Sequence, residues 1–194
     1  VMIEAAYASP TDRRDPTRFI FDEGHHVFDA ADSAFSAYLT GREASELRHW
    51  IRGAEDGRRG RARGLKRRLE DLLVDDPAAL ANLDSVLEAA RELPGQGWQN
   101  RLSQFQPMGA AETFFMHLRA ALYNNVADPE SLYDLQTQLH PAPEAVKAAA
   151  KPFAATLAAI AVPLTRLAAA LKTVLDDNAD SLDTAGRGRI EGAI

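Results

Sequence analysis

The residues richest in possible chemistry stand in one short run, Arg18-Phe19-Ile20-Phe21-Asp22-Glu23-Gly24-His25-His26. Three apolar residues followed at once by two carboxylates read as a buried strand that delivers acids to its C-terminal edge, where open α/β sheets bind ligands. Such a pair can divide the work of nucleotide hydrolysis. The first carboxylate holds Mg²⁺ through water, and the second orients or deprotonates the attacking water. A small residue next lets the chain turn tightly, and a histidine can then connect the site to neighbouring elements. Two other readings stand beside this one. Asp22, His25, His26 and Asp29 could ligate a metal, although their spacing matches no recognised ligand pattern. The run could equally be a capped turn without chemistry.

A second concentration of chemistry is basic. RRGRARGLKRR, residues 58–68, holds seven cationic side chains and no acid, in a chain of formal net charge -6. Setting those seven aside leaves the other 183 residues at -13, so one basic element sits on an acidic body. Arg58, Arg59, Arg61 and Arg63 lie among glycines, a cationic loop suited to following a phosphate backbone, and Lys66, Arg67 and Arg68 continue it onto a helix. The competing reading is a solvated face on which Lys66–Glu70 and Arg67–Asp71 pairs satisfy one another. Trp98, Phe105, Phe114, Phe115, Tyr123 and Phe153 are of the type that stacks on bases. Helical spacing assigns Phe114, Phe115 and Phe153 to core packing instead. Trp98 and Phe105, in a stretch rich in Gln and Asn, receive no role.

The elements that position these groups are mostly helical. The chain has 194 residues, enough for one sizeable domain or two small ones. It has 36 alanines, 7% aromatics and no cysteine, which excludes disulfides, zinc ribbons and iron–sulfur ligation within these residues. Arginine outnumbers lysine 18 to 4, so part of the arginine enrichment is compositional habit. The net charge argues against whole-surface attraction to nucleic acid. No apolar run approaches the roughly 20 residues of a membrane span, and the start carries no signal-peptide pattern, so no membrane partner is expected. Beginning at Val1, the chain reads as a piece of something longer.

Residues 9–18 read as a loop, and 25–37 as an alanine-rich helix. Thr40 with Glu43 forms a capping box that opens a helix turning Leu47, Trp50 and Ile51 inward. Residues 53–64 read as a glycine- and arginine-rich loop. Leu65, Leu69, Leu72 and Leu73 mark the next helix. Asp76-Pro77 caps another, with Leu80, Leu83, Leu87 and Ala90 as its apolar stripe. Short helices are expected over 98–105, through Phe114, Phe115, Leu118 and Leu122, and from Asp128-Pro129 to Leu139. The strongest periodicity is last: Val146, Ala150, Phe153, Leu157, Ile160, Leu164, Leu167, Leu171 and Val174 alternate at four and three residues, a heptad-like seam. Pro152 and Pro163 within it predict kinks or breaks. Residues 182–194 close with a short helix.

The run DEGHHVFDAADSAFSAYLTG, with its arginine-rich helical sequel, resembles the DEAH-type box of superfamily 2 helicases, in particular the bacterial DinG-like branch related to XPD. In that family a helical arch domain is inserted into the first motor domain soon after the box. The resemblance implies a mainly α fold: an irregular helical bundle, the arch-like insertion over 38–194, after a short α/β motor-domain remnant over 1–37. It implies an ATP-dependent DNA helicase, a cytoplasmic, nucleoid-associated bacterial hydrolase of DNA repair that moves 5′ to 3′ on single-stranded DNA. Asp22 would be the magnesium carboxylate, Glu23 the residue acting on water, and His25 the coupler of ATP hydrolysis to DNA binding. Gly24 stands where many members have alanine. No GxxxxGK[ST] loop occurs here, so ATP and Mg²⁺ belong to the parent enzyme, and these residues alone are expected to be inactive. An iron–sulfur cluster, where the family has one, lies upstream of the box. The partners implied are single-stranded DNA and the remaining motor domains of the same chain. The alternative is a non-enzymatic helical module whose heptad-like seam packs on another protein.

Overall fold

The computed structural model describes residues 24–36, 38–55, 63–126, 135–178 and 183–194. Among them the chain is mainly helical and forms no strand, and it divides into two compact units, Val1–Leu39 and Thr40–Ile194. The strand expected over 19–21 lies outside the described residues. In the first unit a 3-10 turn, Gly24–His26, runs into α1 (Val27–Phe35). The Ser36 N–H closes that helix on the Asp32 carbonyl at 2.9 Å.

The second unit opens with α2 (Gly41–Arg52), and the capping box is formed. The Thr40 hydroxyl accepts from the Glu43 N–H at 3.1 Å, and the Glu43 carboxylate accepts from the Thr40 N–H at 3.3 Å. Ala44 and Ile51 are buried and Leu47 packs beside them, but Trp50, expected inward, is 37% exposed. Adjacent helical residues point about 100° apart, so the stripe that buries Ile51 carries Trp50 to its edge.

After α3 (Leu65–Leu69) and a 3-10 turn, Glu70–Leu72, the Asp76 carboxylate accepts the Ala79 N–H at 2.9 Å to start α4 (Pro77–Ala89), with proline in the first turn as expected. A 3-10 turn, Ala90–Glu92, leads to α5 (Trp98–Ser103) and α6 (Gly109–Asn125). The helix expected from Asp128 to Leu139 is not formed over 135–139; residues 128–134 lie outside the described residues. Five residues whose apolar side chains are Leu135 and Leu139 alone are too few to hold a helix by themselves.

The centre of the bundle is α7 (Glu144–Asp177), 34 residues long, packed chiefly on α4 and α6. Its heptad-like seam is spent inside this chain. Phe153, Ile160, Leu167 and Leu171 are buried with Leu83 and Val86 of α4, and Phe153 meets Phe114 and Phe115 of α6 at ring-centroid distances of 5.4 and 5.7 Å. Each fully buried Leu or Ile contributes about 1.5–3 kcal/mol. The helix also runs unbroken through Pro152 and Pro163, against the expectation of a break. Proline frees the carbonyl four residues earlier, here that of Ala148 or Ala159, and both of these residues are exposed, so water can satisfy what the helix does not.

By length and composition alone α7 could also cross a membrane, with a mean hydropathy of 1.7 over its most apolar window, which the count of unbroken apolar residues did not reveal. Its seam is buried against α4 and α6, while 22% of that most apolar window is buried in all. The last helix, α8 (Thr184–Glu191), begins where the Asp183 carboxylate accepts the Gly186 N–H at 2.7 Å, and it anchors through buried Ile190.

One buried charge organises the joint between α5 and α6. Glu112 is fully buried, and four donors converge on its carboxylate. Oε1 accepts from the Gly95 N–H (3.3 Å) and Arg101 Nη2, while Oε2 accepts from Arg101 Nε (2.8 Å) and the Met108 N–H (2.9 Å). Burial pushes this carboxyl up, but the Arg101 guanidinium and the two backbone N–H groups outweigh it, so its pKa falls below the ordinary range.

Candidate nucleic-acid interface

Of the basic tract, Arg63, Lys66, Arg67 and Arg68 are described, and Arg58, Arg59 and Arg61 lie outside the described residues. Local sequence dictates how the four are presented. Leu65 and Leu69, one turn apart, are 1% and 0% exposed, so the short helix α3 is pinned by that edge and its basic residues face outward. Gly64 precedes it because the chain passes against the end of α2. A Cβ at Gly64 would lie 2.4 Å from the Arg52 carbonyl carbon and 2.6 Å from its oxygen.

The ion pairs differ from those that helical spacing suggests. Lys66 Nζ lies 3.7 Å from Glu70 as expected, but also 3.4 Å from Asp84 of α4, and these carboxylates, Asp84 foremost, raise its pKa. Asp71 does not pair with Arg67. Its two oxygens accept from Nη1 of Arg189, on α8, at 2.8 and 2.9 Å, and that guanidinium holds the Asp71 carboxyl below the ordinary range. In return Arg68 Nη2 donates to the Gly192 carbonyl at 2.8 Å, so α3 and the C-terminal helix are stitched by an arginine from each side.

The result is a cavity of about 340 Å³ lined by Arg63, Arg67, Arg68 and Arg189. Arg63 and Arg67 are exposed, and no carboxylate among the described residues pairs with either. Lys66, the fourth described member of the tract, does not line it. Arg189 is the residue that sequence reasoning missed; its only signal was a second, smaller run of arginine and glycine at 186–189.

The carboxylates proposed for nucleotide chemistry, Asp22 and Glu23, lie outside the described residues. His25 is exposed in the 3-10 turn ahead of α1, its ring 4.0 Å from that of His26. Among the described residues no three His, Asp or Glu side chains gather to hold a metal ion.

The aromatics divide as their spacing suggested. Phe114, Phe115 and Phe153 are core, with the Trp98 ring 6.3 Å from Phe115. Phe105, 65% exposed with a backbone φ of 56°, and Tyr123, with the Arg119 guanidinium 4.7 Å over its ring, remain on the surface. A second cavity, about 480 Å³ between α2 and residues 94–99, includes Arg48, whose Nη1 is committed to the carbonyls of Arg91 and Leu93.

No protein-family model, curated protein or solved structure matches the chain.

Proposed function

We propose that these residues are part of a DinG/XPD-like ATP-dependent DNA helicase, with the DEGHH box at the edge of a motor domain and the helical unit as its arch-like insertion. The observation that carries the reading is the order of the chain: the Asp22-Glu23-Gly24-His25-His26 run, then a mainly helical unit without a strand among the described residues, with Arg63, Lys66 and Arg67 of the basic tract exposed on it. In the parent enzyme Asp22 would hold Mg²⁺, Glu23 would act on the attacking water, and His25 would link the nucleotide site to the DNA-bound state. The phosphate-cradling loop that would bind ATP would come from elsewhere in the parent chain. The helical unit helps to enclose single-stranded DNA and to keep the strands apart, with Arg58, Arg59, Arg61, Arg63, Lys66, Arg67 and Arg68 toward the phosphates.

The rival reading, a protein-interaction module, drew on the heptad-like seam as a free surface. That seam is occupied by α4 and α6 of the same chain, which removes its main support. The test of the helicase reading is Glu23→Gln in the parent enzyme. ATP binding is retained and turnover is lost; normal turnover would take Glu23 out of the mechanism. Replacing Arg58, Arg59, Arg61 and Arg63 by serine weakens binding to single-stranded DNA and flattens its salt dependence, by about 0.7 in log–log slope for each phosphate that is no longer neutralised.

A further inference from the structure

We propose that the four-arginine cavity between α3 and α8 is a binding pocket for a phosphate group, and that Arg189 is a working part of it. Its four lining residues are all arginines, and among the described residues no aromatic side chain lines it to receive a base. Such a pocket recognises the phosphate and not what the phosphate is attached to. Guanidinium donors arranged in a fork match tetrahedral oxyanions with paired hydrogen bonds.

Preorganisation is uneven across the four. Arg189 is fixed by both Asp71 oxygens and Arg68 by the Gly192 carbonyl, so two walls stand in place before any anion arrives. Arg63 and Arg67, exposed and without a carboxylate partner among the described residues, close on the ligand. Asp71 offsets one of the four charges, which leaves a net of roughly +3 by ordinary ionisation to meet a phosphate. The pocket follows from the packing of α8 on α3 and holds whether or not the chain belongs to a helicase. Normal turnover in the Glu23→Gln parent would leave it untouched.

The test is titration calorimetry of the 194-residue chain with inorganic pyrophosphate, and separately with a short oligo(dT) lacking terminal phosphates. Saturable pyrophosphate binding that weakens with salt is expected. The double replacement of Arg63 and Arg67 by Gln weakens it by about tenfold or more, as loss of charge-assisted hydrogen bonds requires. Because neither side chain pairs with a carboxylate among the described residues, their replacement leaves the melting temperature unchanged. Arg189→Gln also weakens binding, whereas Arg42→Gln, whose partner is Glu46 on α2, does not. Competition by oligo(dT) identifies the natural ligand as a backbone phosphate, and its absence identifies a free one; either outcome upholds the pocket. Three results would overturn it: no saturable binding of either probe, binding indifferent to the Arg63 and Arg67 replacements, or binding intact in Arg189→Gln.

Discussion

Glu112→Gln keeps the shape of the side chain and removes only its charge, so it isolates the electrostatics that hold α5 to α6. In the native chain two donors meet each carboxylate oxygen: Gly95 N–H and Arg101 Nη2 on one, Met108 N–H and Arg101 Nε on the other. An amide has one oxygen. Whichever way it is turned, two of the four donors face an NH₂ group. Each buried donor left unsatisfied costs about 1–3 kcal/mol, and removing one partner of a buried ion pair costs about 3–5 kcal/mol. Arg101 keeps some access to water, its side chain being 23% exposed, which places the expectation at about 3 kcal/mol, the lower end of that range. For a chain of this size that lowers Tm by about 6–12 °C.

The pH dependence has a definite sign. The folded-state pKa of Glu112 is depressed, so its contribution is fully present above the unfolded value and is lost as pH falls through the folded one. The gap between native chain and variant is therefore widest near neutrality, begins to narrow below about pH 4.3, and closes as pH falls through the depressed folded value. Urea melts followed by far-UV circular dichroism at neutral and acid pH measure it. A loss under about 1 kcal/mol at pH 7, or a gap that widens on acidification, would refute the assignment of Glu112 as a buried, ionised anchor.

Three other substitutions probe the frame around the arginine pocket and the core. Thr40→Ala removes the capping-box hydroxyl of α2 and should cost about 1 kcal/mol in a denaturant melt, with the fold otherwise retained. Gly64→Ala drives a Cβ into the Arg52 backbone, and should cost about 1–3 kcal/mol while also displacing α3 and weakening pyrophosphate binding. Leu171→Ala, at a site 1% exposed near the C-terminal end of α7, should cost about 2–5 kcal/mol without changing anion binding per folded molecule.

Local signals in the sequence carried furthest where the chain satisfies them locally. The Thr40–Glu43 box and the Asp76-Pro77 cap bond groups three residues apart, and the four–three alternation of α7 needs only its own spacing to be read. What escaped was set by partners distant in sequence. Asp71 had a plausible mate in Arg67 four residues away, yet Arg189, 118 residues later, takes it, because the packing of Ile190 into the core brings α8 across α3. The prolines of α7 were read as breaks because spacing does not tell which carbonyls will face water. The candidate site was likewise half legible: charge patterning found Arg63, Arg67 and Arg68, and the fold supplied Arg189 and diverted Lys66 to Asp84.

The central claim, that Asp22 and Glu23 belong to a motor whose other parts lie in the same polypeptide, is tested most directly by reading the coding sequence on both sides of this segment. The account predicts a GxxxxGK[ST] loop upstream and an arginine-bearing helicase motif downstream, which together give the two carboxylates a nucleotide to act on. A reading frame that starts and stops with these 194 residues would contradict it.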